Sequence, residues 1–135
     1  VSSDGGYNWK SGGYVGWENG CQPLVKTDFA KAGHVCVALG FNGLRCSTDY
    51  WQNFTTIEQV NVSRLVGFGR SKSDIKQSVM YYFGISQKDR DNGIMTQAPY
   101  QIDPDTGDHI RMDTNSTYML DKLFVIQILI IHHKY

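Results

Sequence analysis

The sequence predicts a single α+β domain built on a mainly antiparallel β-sheet of about four to six strands. Three observations favour this class: an apolar run at 123–131, a segment with helical periodicity at about 73–83, and a chain with eight tyrosines. Tyrosine is enriched in strands. We expect the apolar run to form a central C-terminal strand and the one principal helix to pack on its sheet. An all-β sandwich with one helix is the alternative.

The apolar run LFVIQILII at 123–131 contains one polar side chain, Gln127. Five of its residues are β-branched, which favours a strand over a helix because the second γ substituent restricts the side chain in a helix. A strand that is apolar on both faces is expected to be central and covered on both sides. A buried helix and a partner-inserting segment are the alternatives, while a membrane span would need about 20 apolar residues.

Two regions are expected in the chain: an N-terminal arm at 1–20 and a domain at 21–135, a length that suits one hydrophobic core. The arm is rich in glycine and aromatic residues and carries a near-repeat, GGYNW at 5–9 and GGYVGW at 12–17. Its rings could cover the edge of the core. They could instead form a carbohydrate-stacking surface, because each presents a flat apolar face with a polar tip. The residues of that surface are Tyr7, Trp9, Tyr14 and Trp17.

A β-hairpin is predicted where the alternating segments HVCVALGF (34–41) and LRCSTDYW (44–51) flank Asn42-Gly43. This dipeptide favours a two-residue type I′ turn, because both central residues then need positive φ.

The hairpin constrains the pairing of the three cysteines. With a two-residue turn Cys46 lies opposite Leu39, so Cys36 points to the other face of the sheet. Bridged Cβ atoms must approach to about 4 Å. We therefore expect a Cys21–Cys46 disulfide, with Cys36 free or bonded to another chain.

The principal helix is predicted from the stripe Ile75, Val79, Tyr82 and Phe83, which recurs at helical spacing before Gly84. The preceding segment GFGRSKSD (67–74) contains glycines, two cations and serines that could cap the helix. Unpaired N–H groups at a helix start attract anions. A ligand or anion site is therefore a candidate, formed by Gly67, Gly69, Arg70, Ser71, Lys72 and Ser73, with two solvated cations at a helix start as the alternative.

Three glycosylation acceptor patterns, at Asn53, Asn61 and Asn115, favour a secretory history. The clustered cysteines suit an oxidising compartment. A chain starting at Val1 is expected to be a processed mature form. The sequence therefore predicts a secreted, disulfide-bonded glycoprotein without a transmembrane segment.

No catalytic signature is present, since the sequence lacks a G-x-S-x-G nucleophile elbow and an H-E-x-x-H zinc motif. The aspartates at 103–108 lack the closing Glu of a calcium loop, and Thr114 stands at that position. We therefore expect no metal and no cofactor. A thiol nucleophile would require Cys36 to be unpaired beside His34 or His109.

The function expected from these features is binding by a secreted, non-enzymatic protein, such as a toxin, an effector or a subunit of an extracellular complex. Its partner would be a protein or a cell-surface target. Homo- or hetero-oligomers could form through Cys36 or the C-terminal strand. The formal net charge of zero gives no nucleic-acid footprint. The alternatives are a lectin-like carbohydrate binder and a small hydrolase of polysaccharide or nucleic acid using Asp108, His109 and Arg111.

Overall fold

The computed structural model describes residues 1–16, 23–71 and 76–113. Eight strands and one short helix lie within these ranges. In chain order they are β1 (Leu24–Thr27), β2 (Val35–Ala38), β3 (Leu44–Ser47), β4 (Thr55–Thr56), β5 (Val60–Arg70), β6 (Ser78–Ser86), α1 (Gln87–Asp91), β7 (Ala98–Ile102) and β8 (His109–Arg111). The predicted C-terminal strand at 123–131 lies outside the described residues.

The strands form two four-stranded antiparallel sheets, ordered β1-β2-β3-β4 and β5-β6-β7-β8. Within each sheet the strands that pair are consecutive in the sequence, and all of these pairs are antiparallel. The mainly antiparallel, β-rich class predicted from the sequence is confirmed. The division into two sheets is closer to the alternative, the β-sandwich with one helix.

The core lies between the two sheets, where β5 packs against β1, β2 and β3. An isolated bridge also joins the two sheets. Gly40, which follows β2, and Ser63 of β5 exchange backbone hydrogen bonds of 2.7 and 2.9 Å. The buried cluster takes side chains from both sheets: Cys36, Ala38, Leu44, Cys46, Val60, Val66, Phe68, Tyr82, Ala98 and Tyr100.

The helix predicted at about 73–83 is wrong for the part that the structure describes, because residues 78–86 form β6. This strand pairs with β5 on one side and β7 on the other. A strand with neighbours on both edges and buried residues on both faces has no clean alternation. Its apolar positions Val79 and Tyr82 then happen to match helical spacing. The one described helix, α1, is a single short turn capped by Ser86, whose side chain accepts from the Asp89 N–H.

Two stacked tyrosines connect the core to the far edge of the second sheet. The rings of Tyr82 and Tyr100 lie 4.9 Å apart with an interplanar angle of 6°. Tyr82 Oη lies 2.8 Å from Nδ1 of His109, and Tyr100 donates its hydroxyl to Asp89. Both buried hydroxyls therefore have polar partners, as buried tyrosines require.

Candidate functional site

A network of hydrogen bonds shapes residues 2–9, which we call the first turn. Ser2 Oγ donates to Asp4 Oδ1 at 2.8 Å and accepts from the Gly6 N–H at 2.8 Å. The Asp4 carboxylate also accepts from the backbone N–H of Asn8 at 2.9 Å and from its side-chain amide at 2.6 Å. Backbone bonds between Val1 and Lys10 close the turn. One carboxylate therefore organises the whole segment.

The second turn, residues 47–54, repeats this network position by position. Ser47 Oγ donates to Asp49 Oδ1 at 2.8 Å and accepts from the Trp51 N–H at 3.0 Å. Asp49 accepts from the backbone N–H of Asn53 at 2.9 Å and from its amide at 2.7 Å. The pairing of Cys46 with Thr55 closes this turn between β3 and β4. The two segments are thus copies of one structural motif.

The copies differ at the two positions of positive φ. The first turn has Gly5 at φ 72° and Gly6 at φ 93°, whereas the second has Tyr50 at φ 59° and Trp51 at φ 72°. A side chain in this left-handed region costs about 1–2 kcal/mol per residue, and glycine avoids the cost. The second turn therefore holds two aromatic residues in a strained backbone.

The two aspartates titrate well below their ordinary range. For both, the N–H of the motif asparagine is the main cause, followed by its amide and the serine hydroxyl, and the pKa of Asp4 and of Asp49 falls from 3.8 to about 2. A depressed carboxyl pKa stabilises the fold above the unfolded pKa of 3.8, and that stability is lost as the pH falls towards about 2.

We expect Asp49→Ala to lower the urea midpoint of unfolding at neutral pH, and the difference from wild type to shrink between about pH 4 and about pH 2. Urea unfolding at a series of pH values measures this. Asp105→Ala, in the exposed turn at 103–107, is the control and should leave the midpoint nearly unchanged. A difference between Asp49→Ala and wild type that persists undiminished at the acid end would contradict the role of the carboxylate.

Three of the four predicted carbohydrate-stacking residues are strongly exposed: Tyr7 at 90%, Trp9 at 75% and Tyr14 at 75%. They do not cover the edge of the core, which was the alternative interpretation. Trp9 is held in place by its indole N–H, which donates to the Gly6 carbonyl at 2.9 Å. Trp17 lies outside the described residues.

Tyr50 of the second turn is also exposed, at 62%, and it lines an open cleft of about 540 Å³. The segment that follows the first turn also lines the cleft, and it is held there by the Gly13 N–H, which donates to the Trp51 carbonyl at 2.7 Å. The lining combines one aromatic ring with hydroxyl, amide and ammonium groups: Val1, Ser3, Lys10, Ser11, Gly12, Gly13, Tyr50 and Gln52. Both turns therefore contribute to one concave surface.

The predicted Cys21–Cys46 disulfide is wrong, since Cys46 is bonded to Cys36. Cys36 is neither free nor available to another chain in this state, so neither the predicted thiol nucleophile nor an oligomer linked through Cys36 forms. The hairpin itself is confirmed, but its connection spans residues 39–43 rather than two residues. This longer connection places Cys36 directly opposite Cys46, with 4.1 Å between their Cα atoms.

The described part of the predicted anion site lies mostly in a strand. Gly67, Gly69 and Arg70 belong to β5, and the next described element along the chain is strand β6 rather than a helix. The Arg70 guanidinium lies 5.9 Å from the centre of the Phe29 ring. Ser71 is buried, and Lys72 and Ser73 lie outside the described residues. The prediction of a helix start, on which the anion site depended, is therefore wrong.

The three residues proposed for a hydrolase site, Asp108, His109 and Arg111, do not all line the same cleft. Asp108 and His109 line a cleft of about 710 Å³ with Glu58 and Lys88, and burial lowers the pKa of His109. Arg111 does not line it. Its guanidinium binds both carboxylate oxygens of Asp113, at 2.6 and 2.8 Å, and lies 3.1 Å from Asp89. The structure therefore brings together two of the three residues.

Both described glycosylation acceptors use their amides within the fold. Asn53 donates to Asp49 in the second turn, and the Asn61 amide donates to Gln87 Oε1 at 3.0 Å. Asn115 lies outside the described residues. Glycosylation at these positions stays a prediction.

The repeated turn is the feature that reading the sequence missed. The near-repeat noted at 5–9 and 12–17 is not the structural one. The structural copies share Ser, Asp and Asn at matching positions followed by an aromatic residue, SSDGGYNW at 2–9 and STDYWQNF at 47–54. Comparing side chains that can hydrogen-bond the backbone, rather than glycines and aromatics, would have found it.

Comparison with protein-family models gives no match, and none of the curated proteins matches the chain. Among the described residues no helix is long and apolar enough to cross a membrane.

Proposed function

We propose that this protein is secreted and acts by binding carbohydrate, such as the glycans of a cell surface, without catalysing a reaction. The observation that carries the proposal is the exposed ring of Tyr50 in a polar cleft that both turns line, together with three further exposed rings on the N-terminal arm. The binding surface comprises Tyr7, Trp9, Tyr14 and Tyr50, together with the polar groups that line the cleft.

The chemistry of this surface suits a sugar. The C–H face of a pyranose ring stacks on a flat aromatic ring, while its hydroxyls need donors and acceptors close by. Tyr50 offers the ring, and Ser3, Ser11 and Gln52 offer hydroxyl and amide groups in the same cleft. A single-stranded nucleic acid would also stack, but it requires a positively charged groove. The cleft has one side-chain cation, Lys10, and the net charge of the chain is zero.

Rigidity favours binding at this surface. The rings at 7, 9 and 50 lie on turns whose backbones are held by serine, aspartate and asparagine side chains. A preorganised surface loses little conformational entropy when it binds a ligand. Strained residues that persist in a fold often mark functional positions. Tyr50 and Trp51 are such residues, because the first turn forms the same network with glycines.

Secretion is supported by the Cys36–Cys46 disulfide, since such bonds persist in oxidising compartments. The acceptor patterns for glycosylation agree with it.

The variant Tyr50→Gly tests the proposal. We expect glycan affinity to fall about tenfold, the effect of losing roughly 1.4 kcal/mol of stacking. We also expect the free energy of unfolding to stay the same or rise by about 1 kcal/mol, because glycine relieves the positive-φ strain. A glycan array identifies the ligand, and calorimetry with urea unfolding measures the two changes.

Phe41→Ala is the matched control, because Phe41 is exposed but lies outside the cleft, beneath the Arg64 guanidinium at 4.5 Å. It should leave glycan affinity unchanged. Equal affinities for wild type and Tyr50→Gly would refute the assignment of the surface. Failure of the wild-type protein to bind any glycan on the array would refute carbohydrate as the ligand.

A further inference from the structure

A second cluster of reactive side chains lies beside the disulfide, away from the aromatic surface. His34 places Nδ1 2.8 Å from Asp28 Oδ2 and Nε2 3.6 Å from the sulfur of Cys36. Asp28 is buried, and its carboxylate also accepts from Ser78 Oγ at 2.6 Å and from the Ala30 N–H at 2.8 Å. The imidazole is therefore held between a fixed carboxylate and the disulfide.

The hydrogen bonds assign the tautomer of His34. A carboxylate only accepts hydrogen bonds, so Nδ1 carries the hydrogen and donates a hydrogen bond to Asp28. The lone pair of Nε2 then points towards Cys36. An edge-on contact with the Phe68 ring, 5.3 Å between centroids, also fixes the imidazole plane. A histidine whose other nitrogen binds a carboxylate is the usual arrangement of a metal ligand.

The two sulfurs and the imidazole nitrogen form a compact donor set, because His34, Cys36 and Cys46 place their ligand atoms within 4.8 Å of one another. Tetrahedral zinc with bonds of about 2.1 Å to nitrogen and about 2.3 Å to sulfur separates these two donors by about 3.6 Å. The distance between His34 Nε2 and Cys36 Sγ is already 3.6 Å. Only the bond between the sulfurs prevents them from acting as thiolate ligands.

We propose that reduction of the Cys36–Cys46 disulfide creates a Zn²⁺ site whose protein ligands are His34 Nε2 and the two cysteine thiolates, with Asp28 as the positioning residue. A phosphine reductant and one water cleave the S–S bond, giving two thiols and a phosphine oxide. Zn²⁺ then binds both sulfurs and releases two protons to solvent.

The surroundings suit this ion. Imidazole and thiolate are its preferred ligands. Asp28 and His34 line an open cleft of about 590 Å³, so solvent lies beside these two residues, whereas Cys36 and Cys46 are buried. The site is thus a redox-dependent metal site, separate from the proposed carbohydrate surface.

The test uses the full chain carrying Cys21→Ser, so that the third thiol cannot supply a ligand. The protein is reduced with a phosphine without oxygen and titrated with Zn²⁺ by calorimetry, and with Co²⁺ for its sulfur-to-metal absorption band. Circular dichroism checks that the fold persists. We expect one metal per reduced chain and none per oxidised chain. Asp28→Asn should weaken binding about 10- to 100-fold, and His34→Ala should weaken it further.

His109→Ala is the matched control, because His109 is a half-buried histidine bonded to Tyr82 rather than to the cysteines. It should bind Zn²⁺ as tightly as the parent. The proposal is overturned if the reduced parent binds no metal. It is equally overturned if His34→Ala binds as tightly as the parent, since the thiols of an opened chain would then explain binding. Loss of the native fold on reduction that Zn²⁺ does not restore also overturns it.

Discussion

Replacing Cys36 and Cys46 together by alanine is expected to lower the free energy of unfolding by about 3 kcal/mol. The bond closes a loop with a sequence separation of 10 residues. Removing it increases the conformational entropy of the unfolded chain, which lowers the free energy of unfolding by about that amount. Both sulfurs also lie in the buried core, so their loss leaves unfilled volume. Urea unfolding of wild type and variant measures the change.

Cys21→Ser is the control for this experiment and should leave the Cys36–Cys46 bond in place. Peptide mapping without reductant should recover the peptides containing Cys36 and Cys46 as one linked species from that variant. A linked species containing Cys21 in the wild type would show that the pairing is different. An unfolding free energy unaffected by the double substitution would show that the bond does not stabilise the fold.

Gly84→Ala is expected to destabilise the protein by about 3 kcal/mol, at the upper end of the usual cost of overpacking. Gly84 is buried in β6, opposite Ser63 of β5, where the register between the two strands shifts. A Cβ added there would lie 1.7 Å from the Val62 carbonyl oxygen and 2.5 Å from its carbon. Both atoms are backbone, so relief requires β5 to move away from β6.

Gly107→Ala is the matched control, since it adds the same methyl group at φ 75° with no atom within 4 Å. It should cost about 1 kcal/mol from backbone strain alone. Urea unfolding of both variants separates steric clash from strain. If the two losses are equal, the close contact between β5 and β6 does not limit the size of residue 84.

The hairpin of β2 and β3 shows how far local patterns could be read. Alternating apolar residues and the Asn-Gly dipeptide correctly predicted two antiparallel strands. The register was missed because the turn is set by contacts outside the hairpin. Gly40 bonds to Ser63 of β5, and this pairing draws residues 39–43 into the connection. With a longer connection, the disulfide partner of Cys46 changes from Cys21 to Cys36.

The segment at 78–86 was predicted wrongly, because its sequence is compatible with both a helix and a strand. Val79 and Tyr82 match a helical stripe, yet the segment is also rich in aromatic residues that favour strands. The strand conformation is stabilised by β5 and β7, which supply hydrogen-bond partners along both edges of β6. A correct choice required knowledge of those neighbours.

The candidate site was predicted in part. The aromatic residues of the arm were named from the sequence, and the three that the structure describes are exposed. Tyr50 and the cleft were not assembled from the sequence, because the cleft joins residues 1–13 to Tyr50 and Gln52, far apart in the chain. Cys36 was considered beside His34 only as a thiol nucleophile, and Asp28 was not included.

By itself, the sequence determined the antiparallel β-rich class and the hairpin. These features follow from alternation and turn residues, which act between near neighbours. Only the tertiary structure decided the strand register, the Cys36–Cys46 bond, the conformation of residues 78–86 and the pairing of the two turns around one cleft. These features depend on which distant strands supply hydrogen bonds and buried contacts. Local sequence patterns do not predict which strands pair.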